Sequence, residues 1–216
     1  MAHRIQQTLG LDIGTYSVKY AEVTHTKSET ILSQAGFKTV DGNASAAIKE
    51  LFKSLSLPPK SVRVSLSGSS LLVRRLTLPL MTKAELKGAI RFEAEKHIPF
   101  PIDDCVLDTQ ILSQNAAQKN VNVLLAAAKK EAVQERLKLL ADLGLRPEAI
   151  DVDILCLFNV FDVFRGTETA APKLYGLVNL GHQTTSILII KEGAPFFVRE
   201  ISSAGRQPHE RRRCNP

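Results

Sequence analysis

The chain has 216 residues, 44% of them hydrophobic and 23% charged, with three cysteines and a net charge of +6. A globular chain of this length buries about 70% of its unfolded surface and needs no disulfide staples. Cys105, Cys156 and Cys214 are odd in number and far apart, which excludes a metal ribbon or a disulfide framework and favours a reducing cytosol. No apolar run reaches the ~18 residues of a membrane span, and Met1 leads almost directly into a strand, so no signal peptide is expected. Half of the positive excess lies in the last eleven residues, where Arg206, Arg211, Arg212 and Arg213 face Glu210. The rest mixes signs and has no aromatic platform, which argues against a nucleic-acid surface.

In chain order, Thr8 to Val23 reads as two strands joined by a tight turn. Leu9, Leu11 and Ile13 alternate in the first arm, and Val18, Tyr20 and Val23 mark the second. The turn, Gly14-Thr15-Tyr16-Ser17, joins a residue without a Cβ to two hydroxyls, and Lys19 follows. Such a concave run of donors suits an anion such as phosphate. Asp12 would repel a phosphate unless a Mg²⁺ lay between them. Thr30 to Val40 is a third strand, and Ala44 to Leu57 a helix with Ala47, Leu51 and Leu55 on one face, stopping before Pro58-Pro59.

A second unit follows. Ser61 to Ser67 and Leu71 to Leu78 read as a hairpin around Gly68. Thr82 and Glu85 form a capping box for a helix reaching His97, with Leu86, Ile90 and Ala94 inward and an Arg91–Glu95 pair outward. Ile98-Pro99-Phe100-Pro101 is an extended link that leaves Phe100 to dock as an apolar plug. Cys105 to Leu112 is a strand. Val121 to Ala128 is another, apolar enough to be buried on both faces. Lys130 to Leu143 is a helix with Val133, Leu137 and Leu140 on one face and Gly144 as its left-handed cap. Residues 60–145 are thus expected to form a β-β-α-β-β-α insert. Ile154 to Phe164 is so apolar that a buried helix is expected, and a polar linker follows it.

From Lys173 to Ile201 three strands are expected, with turns at Gly181-His182-Gln183-Thr184-Thr185 and at Lys191-Glu192-Gly193. The first turn repeats the opening one, Asn179-Leu180-Gly181-His182 matching Asp12-Ile13-Gly14-Thr15. Two such hairpins facing each other would grip a phosphate tail from both sides.

These paired hairpins resemble the phosphate loops of the actin-like ATPase superfamily. Within it, Glu93 to Phe100 (E-A-E-K-H-I-P-F) and Asp104 to Leu112 (D-C-V-L-D-T-Q-I-L) resemble the signature segment of the type IV pilus assembly PilM family. The resemblance covers Leu9 to about Gly205. It implies an α/β fold with an actin-like, ribonuclease H-like first half (residues 1–59 and 146–172), an insert at 60–145, and a second half only begun at 173–205. It implies a cytosolic scaffold of the pilus inner-membrane platform that binds ATP with Mg²⁺, and weak or absent ATP binding is expected in this chain because adenine is held mainly by the second half. The partner it implies is the cytoplasmic N-terminal peptide of PilN, gripped near the insert. Self-association is a further expectation, and the membrane would be reached only through partner proteins. By position, Asp12, Gly14, Thr15, Ser17 and Lys19 would form the first phosphate loop, with Asp12 towards the metal, and Asn179, Gly181, Gln183, Thr184 and Thr185 the second. The family pattern has an aspartate where Asn179 stands. An amide is neither a Mg²⁺ carboxylate nor a base for water, so at most weak hydrolysis and no catalytic residue are expected. Residues 206–216 do not resemble the family and are expected to be an unstructured tail of a truncated product. The alternatives are an FtsA-like cell-division homologue and a kinase-type enzyme of the same fold.

Overall fold

The computed structural model describes residues 6–27, 29–53, 55, 61–165 and 174–202. The readings placed on Pro58-Pro59, the 166–172 linker, Lys173, Cys214 and the tail lie outside these residues. Three sheets organise the chain. The first has the order β3-β2-β1-β4-β8, from β1 (Gln6–Ile13), β2 (Ser17–His25), β3 (Thr30–Thr39), β4 (Ser61–Leu66) and β8 (Arg146–Val152). β1, β2 and β3 are antiparallel, while β4 lies parallel to β1 and β8 parallel to β4. The alternation of the opening arms has the expected result, with Leu9, Leu11, Val18 and Tyr20 buried together. Helix α1 (Ala44–Phe52), capped by Asn43, presses Ala47, Ile48 and Leu51 into that core.

The second sheet has the order β5-β7-β6, from β5 (Leu71–Pro79), β6 (Cys105–Asn115) and β7 (Asn120–Lys129). β7 is its central strand. Val121, Val123, Leu125 and Ala127 are fully buried on the side of helix α2 (Lys83–Glu95), and Leu124 is buried towards a different core. Burial on both faces explains its continuous apolar run. The Thr82–Glu85 capping box is formed. The outward pair of α2 differs from expectation: Arg91 bonds Asp103 in the 3-10 turn Ile102–Asp104, not Glu95. Phe100 packs against the α2 core with Lys129 Nζ 5.4 Å above its ring.

The expected insert is smaller than residues 60–145. β4 and β5 do not form a hairpin, because β4 pairs in the first sheet and β5 in the second. Gly68, at φ +108°, redirects the chain between them. Two alternating strands around a glycine turn are compatible with either outcome, and the parallel pairing of β4 with β1 and β8 decides it. Helix α3 (Lys130–Asp142) likewise belongs to the first layer, since Leu140 is fully buried beside Leu9 and Ile48. Its buried face includes Arg136 and Leu139, whereas Leu137, expected inside, is 39% exposed. Gly144 closes α3 at φ +70°, as its position predicts.

The third sheet has the order β11-β10-β9, from β9 (Leu174–Leu180), β10 (Thr185–Lys191) and β11 (Ala194–Ile201). Helix α4 (Asp153–Arg165) packs Ile154, Leu155, Phe158 and Phe161 against Tyr175, Leu177, Leu188 and Ile190. Val73 and Leu124 of the second sheet join the same cluster, so one core ties all three sheets. α4 is not a buried helix. Leu157, Val160, Val163 and Phe164 face outward, the last at 85% exposure, because only one side of the helix is clasped.

Candidate functional site

In the β1–β2 hairpin, Asp12 lies directly opposite Lys19 and their side chains pair at 2.8 Å. Both are about half exposed, so the pair contributes at most about 1 kcal/mol. It does direct Lys19 towards Asp12 rather than into open space over the turn. Gly14 N–H donates to Ser17 O at 3.1 Å, and a Cβ at Gly14 would stand 2.9 Å from that oxygen. Glycine is required here for close approach, and its amide is already used, contrary to the expectation that it faces a ligand. Ser17 is buried. Thr15 and Tyr16 form the exposed tip, pinned to the end of β3 by Val40 N–H donating to Tyr16 O at 2.8 Å.

The β9–β10 turn repeats this arrangement. Gly181 N–H donates to Thr184 O at 2.9 Å, and a Cβ at Gly181 would stand 2.8 Å from the same oxygen. The match of Asp12 with Asn179 therefore continues through Gly14 with Gly181 and Ser17 with Thr184. Gln183 is exposed, and Thr185 enters the ladder opposite Leu180 and Ile201. The two turns meet: the Tyr16 and His182 rings are 5.4 Å apart and tilted by 34°. Among the described residues, the N–H groups of Thr15, Tyr16, His182 and Gln183 have no acceptor. The tips thus hold the backbone donors open to an anion, rather than the two glycines.

Asp153 lies where the halves join, and the linear sequence did not single it out. It opens α4, and its Oδ1 accepts from Ile154 N–H at 2.6 Å while its Oδ2 accepts from Asn179 Nδ2 at 3.4 Å. Burial pushes its carboxyl up to about 6, with Glu200 and Asp12 adding like charge against the two hydrogen bonds. Asn179 is therefore engaged by an acid of the first half instead of standing free. The only sequence signal was an aspartate at a helix start. Its place between the hairpins depends on β8 running parallel to β4 and on α4 crossing to the third sheet. Arg136 of α3 is a second such residue. Burial pulls its guanidinium down, Asp12 opposes that, and its buried Nη1 has no partner among the described residues.

Beside Asp153 a cleft of about 330 Å³ opens between the second and third sheets. Leu71, Leu72, Pro99 and Phe100 make an apolar wall, and Asp153, Ser186 and Glu200 a polar one, with Arg74 and Arg199 also lining it. Glu200 Oε2 accepts from Gly68 N–H at 2.9 Å, which fixes the β4–β5 turn against β11. Among the described residues no three His, Cys, Asp or Glu side chains cluster as a metal cage.

The model of the family described as "Type IV pilus assembly protein PilM" matches residues 10–211. The chain belongs to this family. The match runs past Gly205, where the sequence resemblance was expected to end, and takes in the first residues of the expected tail. Among solved structures, the chain is similar to one described as the PilM-PilN type IV pilus biogenesis complex, at 26% identity and TM-score 0.79 over 92% of this chain and 62% of that one. It therefore spans about three fifths of that relative's length. It also shares its fold, at TM-score 0.56 and 12% identity, with the cytoplasmic domain of EpsL, an inner-membrane component of the type II secretion system of Vibrio cholerae, covering 91% of this chain and 71% of that one. The fold is actin-like, as the paired hairpins and the PilM-like segment implied.

Proposed function

We propose that this chain acts as a cytosolic scaffold of the type IV pilus inner-membrane platform and binds the cytoplasmic N-terminal peptide of PilN. The observation that carries this reading is the likeness, over 92% of the chain, to the PilM-PilN complex. The cleft between the second and third sheets offers a peptide one apolar wall and arginines beside it. No helix among the described residues is long and apolar enough to cross a membrane.

The same reading assigns a nucleotide, ATP with Mg²⁺, to the facing hairpins. The donor set fits phosphates, because the unspent amides of Thr15, Tyr16, His182 and Gln183 lie on two tips in contact. It fits Mg²⁺ in the mode that uses one carboxylate together with phosphates and water, and Asp12 is the exposed carboxylate of the first hairpin. When bound, the metal would screen phosphate charge from Asp12. Gly14, Ser17, Gly181 and Thr184 shape the two turns, Lys19 balances Asp12, and Asn179 orients Asp153. Hydrolysis is not part of the proposal, since Asn179 supplies no carboxylate.

The test is calorimetry of the full chain with a synthetic PilN N-terminal peptide, with and without Mg²⁺–ATP. Binding at micromolar affinity, weakened by Arg74→Glu, is the expected result. No heat with the PilN peptide, with or without Mg²⁺–ATP, would refute the scaffold reading.

A further inference from the structure

Tyr16 and His182 stand where the two hairpins touch, and neither is among the residues that the family resemblance carries over. Their centroid distance of 5.4 Å lies within the range of an attractive ring contact. Tyr16 is held at its backbone, and the turn that carries His182 is closed by its neighbour. Tyr16 O accepts from Val40 N–H, and Gly181, next to His182, donates to Thr184 O. The rings can therefore part by side-chain rotation while the turns keep their shape. Tyr16 is 55% exposed, so its ring has room to swing outward. The unspent amides belong to these same two residues and to Thr15 and Gln183 beside them. The nearest lysine, Lys19, is already paired with Asp12. The His182 imidazole is then a side-chain donor at the tips that a phosphate can recruit.

We propose that Tyr16 and His182 form a gate across the mouth of the two hairpins, and that the ligand admitted is a polyphosphate chain such as a nucleoside triphosphate's tail. The proposal rests on the nucleotide reading above and deepens it. With the gate closed, the rings bridge the tips and cover the phosphate approach. A phosphate entering displaces the Tyr16 ring, and the freed His182 ring nitrogen donates to a phosphate oxygen. A ring pair of this kind biases closure by roughly two- to tenfold, and the apparent affinity is lowered by about the same factor.

The test uses the full chain and its Tyr16→Ser, His182→Ala and double variants, titrated with ATP and with inorganic tripolyphosphate by calorimetry. Histidine ring resonances are followed by NMR, and a thermal melt confirms folding. Tyr16→Ser should bind both probes roughly two- to tenfold more tightly than wild type. The double variant should bind more weakly than Tyr16→Ser, because the donor is gone. The His182 ring signal should move on Tyr16→Ser substitution without ligand. Equal affinities of wild type and Tyr16→Ser, or an unmoved His182 signal, would overturn the gate alone. Failure of all four chains to bind either probe would overturn the nucleotide reading and the gate together.

Discussion

Three side chains carry most of the site's chemistry, and each is defined by a neighbour from another element. Lys19 is spent on Asp12, Asn179 on Asp153, and Asp153 is itself crowded by Glu200 and Asp12. Asp153 yields a sign that can be checked. Its folded-state carboxyl titrates near 6 against 3.8 for the free group, so between those values the folded state holds more proton than the unfolded one. Stability through this group therefore falls as pH rises from about 4 to about 6 and stays lower above. Asp153→Asn should raise stability at pH 7 and flatten this slope, as read by urea denaturation between pH 5 and 7.5. A slope unchanged in the variant would refute the assignment. Nothing in the sequence around Asp153 predicts this, because the shift comes from burial between halves that only folding brings together.

At the scale of elements, periodicity located nearly every helix and strand but did not say which layer each one joins. The α2 capping box and the double burial of β7 were legible, since both depend on residues within one element. The partners of β4, α3 and α4 were not. α3 makes the point, because the sequence reading placed Leu137 and Leu140 inside together, while contact with the first sheet buries Leu140 fully and leaves Leu137 39% exposed. Leu140→Ala should cost about 2–5 kcal/mol, while Leu137→Ala should stay within about 0.5 kcal/mol. Equal costs in chemical denaturation would mean that α3 packs in the sequence-predicted register.

For the whole molecule, the internal repeat sets two sheets side by side and covers them differently. In the first, Leu11 and Ile13 pack into the core beneath α1 and α3. The matching positions of the third sheet include Val178 and Leu180, at 59% and 77% exposure, and the register puts Ile201 on the same face as Leu180. The outer face of α4 is a second apolar surface, on the other side of the third sheet because α4 packs on its Tyr175 and Leu177 face, and exposed apolar surfaces of this kind drive association. Phe164→Ser combined with Leu180→Thr should reduce concentration-dependent light scattering while changing stability by no more than about 0.5 kcal/mol per site. Undiminished scattering would show that association, if present, uses another surface.

The sequence by itself determined the elements, the two glycine turns and their repeat, and the PilM-like segment that places the chain in its family. These are local patterns, written in side-chain periodicity and in the few residue types that a tight turn accepts. Only the tertiary structure decided that the tips meet through Tyr16 and His182 and that Asp153 lies against Asn179. It also transferred β4 and α3 from the insert to the first layer. Each of these depends on which faces bury one another across long stretches of chain, and alternation within a single segment fits more than one such pairing.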